Sequence, residues 1–147
     1  MSENSGYQFL EDIAIADVAF RAWAPDLSGL FEQAAQATIE TMLPELMQLR
    51  ATEHRPVELN EAALDMLLFD FLQELIYYKD AERLLLLPQT VAVTGRSGDY
   101  QLKGILYGEP IDPRRHGLNA DVKAVTLYRF EVKQTDSGWE ATVVLDV

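Results

Sequence analysis

Between Leu64 and Tyr78 the chain reads Leu-Asp-Met-Leu-Leu-Phe-Asp-Phe-Leu-Gln-Glu-Leu-Ile-Tyr-Tyr, a run that is apolar nearly all the way round a helix. Such a helix needs cover on more than one side, so it should be more buried than the chain's other main helix, expected after Asp26. Asn60 is placed to cap it, with Glu61 in the first turn. Asp70 and Glu74 stand one turn apart as like charges. Either they reach water on a narrow polar stripe, or they face an inward cleft as an acid–base pair.

The remaining elements supply the cover. Tyr7–Leu10 and Asp17–Trp23 read as strands, the second rich in aromatic and β-branched residues. Pro25-Asp26 then ends the strand and caps a helix. In that helix Leu27, Leu30, Phe31, Ala34, Ala35, Thr38, Ile39 and Met42 recur at three- and four-residue steps, and Pro44 closes it. A short strand is expected at Val57–Leu59. After Arg83 the period falls to two, with strands expected at Leu84–Leu87, Gln89–Thr94, Tyr100–Tyr107, Val122–Lys133 and Trp139–Val147. Arg96-Ser97-Gly98-Asp99 and Asp136-Ser137-Gly138 are turns, and Gly108–Asn119 is a loop. Segregated helices and antiparallel strands predict one α+β domain over residues 1–147, a mixed, largely antiparallel sheet with two main helices on one face.

Charge and composition narrow the function. The 147 residues carry 24 Asp plus Glu against 12 Lys plus Arg, a net charge of -12. A chain this acidic has few cations to spare for a phosphate backbone, so direct nucleic-acid binding is disfavoured, and a cation or a basic protein surface is favoured. It holds no cysteine, which removes disulfides, thiolate metal sites and cysteine nucleophiles and fits a reducing cytoplasm. Neither a secretory segment nor a membrane span is read in it. Gly95, Gly98 and Gly104 fall in a hairpin pattern rather than a phosphate-cradling strand-to-helix turn, and no nucleophile elbow or paired-histidine metal motif occurs.

Four ordered stretches carry a resemblance. Phe9-Leu10-Glu11 through Ala16-Asp17-Val18-Ala19-Phe20-Arg21-Ala22-Trp23, with the helix Leu30-Phe31-Glu32-Gln33-Ala34-Ala35, resembles the opening of the archease family. Phe69-Asp70-Phe71-Leu72-Gln73-Glu74-Leu75-Ile76-Tyr77 resembles its second helix. Gly108-Glu109-Pro110-Ile111-Asp112 with His116, and Val122-Lys123-Ala124-Val125-Thr126, resemble its late motifs, and the chain ends Leu145-Asp146-Val147 where the family ends Asp-Ile. One departure is clear: Ala14 and Ile15 stand where the family carries a His and a Thr.

The resemblance implies an accessory protein, not an enzyme: an activator of an RtcB-type RNA ligase in tRNA splicing and RNA repair. Archeases promote guanylylation of the ligase from GTP, sustain multiple turnover and broaden the nucleotide accepted. Contact with nucleic acid would be indirect. The resemblance also implies a divalent cation, calcium in the family with magnesium or manganese as alternatives, held by Asp17, Asp146 and Val147. Lys123 is a further family position, and His116, Asp112 and Glu109 lie near it in a polar activation patch.

On the residues alone, two readings of each group stand. Asp17 and Asp146 lie among apolar neighbours, where an ionised carboxylate needs a partner; if the first and last major strands adjoin, the two converge on one hard cation. Otherwise both are strand-end residues facing water. His116, Lys123, Asp112 and Glu109 form a partner-facing patch, or they belong to a solvated turn. Two other functions compete: a metal-dependent phosphoesterase using Asp17, Asp146 and Glu74, and a chaperone-like interaction module for RNA-modifying enzymes.

Overall fold

The computed structural model describes residues 4–11 and 17–147. The expected family departure at Ala14 and Ile15 lies outside the described residues. Strands β1 (Gly6–Leu10) and β2 (Val18–Ala24) lead into helix α1 (Leu27–Met42), then β3 (Glu53–Glu61), helix α2 (Leu64–Glu82), β4 (Leu84–Arg96), β5 (Asp99–Pro110), β6 (Ala124–Thr135) and β7 (Gly138–Asp146). A 3-10 turn at Leu46–Gln48 joins α1 to β3. The α+β class stands. The strands divide between two sheets, β1-β2-β7-β6 and β3-β5-β4, and each pairing is antiparallel.

Helix α1 starts where the sequence expects: the Asp26 carboxylate accepts the Gly29 amide at 2.7 Å, satisfying a free N–H of the first turn. It packs against β2 and β7 of one sheet and β4 of the other. Small side chains at Ala34, Ala35 and Ala37 let it lie between the sheets, and Leu30, Phe31 and Ile39 are fully buried there. The Phe31 and Phe71 rings, 5.8 Å apart, join the two helices.

Helix α2 reverses the expectation about burial. It buries Leu67, Leu68, Phe71, Leu72, Leu75, Ile76 and Lys79 on one side, but Tyr77 is 56% exposed and Asp70, Gln73 and Glu74 are half-buried. Placement between two sheets, more than residue hydrophobicity, makes α1 the more enclosed helix. The start of α2 also differs from expectation. Asn60 and Glu61 belong to β3, held in the ladder opposite Gln101 and Tyr100, and the N-cap is Ala63 with no side-chain bond.

Two strands are longer and less regular than their sequence pattern. Leu84–Leu87 and Gln89–Thr94 are one strand, β4, whose register shifts between Pro88 and Thr90. Proline lacks an N–H for the ladder, and an edge strand with a bulge accommodates it. In β6 the alternation breaks between Thr126 and Glu131. There Leu127 and Tyr128 project into solvent, and Arg129 adopts a left-handed φ of 54°. The hairpin into β7 needs glycine at Gly138: its φ is 148°, and a Cβ would lie 2.2 Å from the Ala24 carbonyl oxygen.

Candidate functional site

Strand β7, the last in the chain, lies between β2 and β6. Its ladder with β2 runs from Ala24↔Trp139 to Val18↔Leu145. Phe20, Ala22, Val143 and Leu145 are buried in the core, so by strand alternation Asp146 belongs to the opposite face of β7. Asp17 directly precedes Val18, the first residue of β2, whose partner is Leu145, so Asp17 and Asp146 lie at the same end of this ladder. On the other side of β7, Asp146 pairs with Ala124, and the Lys123 amide donates to the Asp146 carbonyl at 2.8 Å. Val147 is a half-buried hydrophobe against the core. The strand pairing thus brings Asp17, Asp146, Val147 and Lys123 to one end of one sheet.

Asp17 and Asp146 are both half-buried. Among the described residues neither carboxylate has an ion-pair or hydrogen-bond partner. Their hard oxygens suit a hard cation, and among the described residues of the β2–β7–β6 ladders no sulfur or imidazole lies at this sheet end to favour a softer one. Among the described residues no group of three or more His, Cys, Asp or Glu gathers into a metal cluster. A cation at this end would therefore draw on main-chain oxygens, such as that of Val147, and on water.

A cleft of about 490 Å³ opens beside Asp17, lined also by Glu11, Glu40, Thr41, Leu10 and Asn119. Its acidic residues come from just after β1 (Glu11), just before β2 (Asp17) and the last turns of α1 (Glu40). The Tyr7 hydroxyl donates to Glu40 at 2.5 Å. Burial, then that bond, pushes the Tyr7 hydroxyl's pKa up, so it stays a donor.

The remaining members of the expected activation patch lie elsewhere, and two of them, Glu109 and His116, turn inward. Glu109, at the end of β5, is 6% exposed, and His116 is 2% exposed. The Asp112 amide donates to His116 Nδ1 at 2.9 Å, and His116 Nε2 lies 3.2 Å from Glu109 Oε2 and 2.8 Å from an Arg115 guanidinium nitrogen. The Arg50 amide donates to the same Oε2 at 2.7 Å, and Arg115 pairs with Oε1. Burial works to raise the Glu109 pKa, but these donors, led by Arg115, outweigh it and bring it down to about 2. Asp112 is exposed; its carboxylate accepts the Arg114 amide at 3.0 Å and its carbonyl the amides of Arg115 and His116. This network fastens the loop after β5, apart from Lys123, which is exposed at the sheet end.

Asp70 and Glu74 are half-buried on the face of α2 away from its buried residues. Asp70 shares a hydrogen bond with Glu61 at the end of β3. Burial, that bond, and the charges of Glu61 and Glu74 raise its pKa to about 6.

One residue escaped the sequence reading. Lys79 is buried, donating to Asp121 Oδ1 at 2.6 Å and the Val122 carbonyl at 2.7 Å, with Asp80 at 2.7 Å. The signal was its spacing: Lys79 follows Leu72, Leu75 and Ile76 on the apolar face of α2.

Comparison with known proteins places the chain. The model of the Archease protein family (MTH1598/TM1083) matches residues 7–147. Protein archease of Methanosarcina mazei is 30% identical over 99% of both chains, and that of Methanothermobacter thermautotrophicus is 33% identical over 97% of this chain and 99% of its own. The solution structure of Methanobacterium thermoautotrophicum protein 1598 superposes with a TM-score of 0.82 at 32% identity, covering 97% of this chain and 99% of that one. The crystal structure of a Thermotoga maritima archease, a possible chaperone, has a TM-score of 0.60 at 14% identity and shares the fold. This chain belongs to the archease family.

Proposed function

We propose that this chain is a divalent-cation-binding accessory protein that activates an RtcB-type RNA ligase by promoting its guanylylation, in tRNA splicing and RNA repair. Family membership supports the accessory role, as does the description of the Thermotoga maritima relative as a possible chaperone. The observation that carries the site is the β2–β7 register, which sets two unpartnered aspartates from opposite ends of the sequence at one sheet end.

Asp17, Asp146 and the main-chain oxygen of Val147 would hold the cation, with Lys123 beside them. A bound calcium, magnesium or manganese ion supplies positive charge that neutralises two carboxylates otherwise in mutual repulsion. The chain's own part is to present a shaped, acidic sheet end to a basic enzyme surface, where complementary charge speeds encounter and sets orientation. Among the described residues no helix is long and apolar enough to cross a membrane; the proposed setting is the cytoplasm.

The test is guanylylation of purified ligase with GTP and manganese. Asp17→Ala and Asp146→Ala are expected to lose at least about tenfold of the activation, in line with removal of a group that holds or orients a metal ligand. Activation equal to wild type by either variant would reject the site. Phosphoester turnover by this chain alone would instead support the phosphoesterase alternative.

A further inference from the structure

We infer that Lys79 is the positioning residue for the Asp17–Asp146 sheet end, an assignment that rests on the cation reading above and extends it to a residue on a different element. Lys79 is 5% exposed in the last turn of α2. Its ammonium has three protons and meets three oxygens, from Asp121, the Val122 carbonyl and Asp80. Burial disfavours its charge, but the bonds to Asp121 and Asp80 outweigh that and keep it an ammonium.

A buried ammonium is costly, and an aliphatic chain often replaces such an ion without loss of stability. What an aliphatic chain cannot do is fix the course of backbone that has no ladder. Residues 117–123 are such backbone, between the loop after β5 and the start of β6. They are held at three points: the Asn119 amide on the Met42 carbonyl, Asp121 and Val122 on Lys79, and the Lys123 amide on the Asp146 carbonyl. On one side of the Lys79 clamp, Asn119 and Ala120 wall the cleft that contains Asp17. On the other, Lys123 grips the backbone of Asp146. Loosening the clamp therefore moves both walls while leaving the aspartates themselves in place. Support of this kind around a metal ligand is worth about 10–100-fold in metal affinity.

The experiment compares wild type, Lys79→Met, Asp121→Ala and Asp146→Ala, using calcium alone as the probe. Calcium affinity is read from the calcium-induced rise in thermal midpoint, and guanylylation of the ligase is read separately. Lys79→Met is expected to bind calcium at least about tenfold more weakly and to activate less, with a midpoint in chelator close to wild type. Asp121 is exposed, so Asp121→Ala removes a clamp partner without disturbing the core, and it carries the test if Lys79→Met does not fold. Wild-type calcium response in both clamp variants, with the response lost in Asp146→Ala, would reduce Lys79 to a structural ion pair. A wild-type calcium response in Asp146→Ala as well would overturn the cation reading itself, and this inference with it.

Discussion

His116 Nε2 lies 3.2 Å from Glu109 Oε2, and both side chains are almost wholly removed from water. The pair, with Arg115 and the Arg50 amide, welds the end of β5 to the loop after it. Its carboxylate has a pKa of about 2 against an ordinary 4.5. A depressed carboxyl stabilises the fold above the unfolded-state pKa, and that contribution is lost as pH falls through the folded one. Glu109→Gln is expected to cost about 2–3 kcal/mol at pH 7, since it leaves the Arg115 charge without its partner. The variant should also lose much of the wild-type decline in stability between pH 4.5 and about 2. Urea unfolding at pH 7, 4.5 and 3 reads both effects.

Asp70 titrates in the opposite sense. Its folded pKa is raised from 3.8 to about 6, so ionisation opposes folding. Stability is lost as pH rises from 3.8 to about 6 and stays lower above that window. Asp70→Asn is expected to raise the thermal midpoint at pH 7.5. Screening by water limits the gain to about 1 kcal/mol, or about 2–4 °C at this chain length. At pH 3.5 the two proteins should melt together. A variant that gains equally at both pH values would assign the effect to something other than the cost of ionising Asp70 in its partly buried place beside Glu61 and Glu74.

Much of the fold was legible because local chemistry decided it. The Asp26 cap and the three- and four-residue spacing fixed α1, and Gly98 and Gly138 marked two hairpins. What escaped depended on partners distant in the sequence. The division into two sheets follows from β3 choosing β5, more than 35 residues away, and nothing within β3 announces that choice. Asp17 and Asp146 stood out as acids among apolar neighbours, but only the β2–β7 register relates them. Asp112-Pro113-Arg114-Arg115-His116-Gly117 has the composition of a solvated turn, and the buried Glu109 that draws His116 inward comes from a strand end. Lys79 does not stand out in the sequence because a single charge does not reveal its acceptors.

Helix α2 ends on Arg83, whose φ of 54° lies in the left-handed region. Non-glycine residues carry a penalty there that glycine avoids. The Arg83 carbonyl accepts the Ile111 amide at 2.9 Å, a bond that substitution of the side chain leaves intact. Arg83→Gly is therefore expected to stabilise the protein by about 1 kcal/mol, the left-handed strain relieved less the added freedom of the unfolded chain. Calorimetry should show a rise of about 2–4 °C; a fall would mean that the exposed Arg83 side chain contributes more than its backbone costs.

Asp17 supplies a prediction whose sign depends on the solution. Like charges brought close on neighbouring antiparallel strands repel, and Asp17 and Asp146 lie at the same end of the β2–β7 ladder. In chelator, Asp17→Asn is expected to raise stability by up to about 1 kcal/mol, which lifts the thermal midpoint by about 2–4 °C. In excess calcium the order should invert. A ligand that binds only the folded state stabilises by about 2.7 kcal/mol at a hundred times its Kd, and the variant, lacking one charged ligand, gains little of that. Scanning calorimetry of both proteins with chelator and with calcium reads the crossing directly. Parallel midpoints under the two conditions would mean that Asp17 holds no cation, and would leave the repulsion at this sheet end to be relieved by water alone.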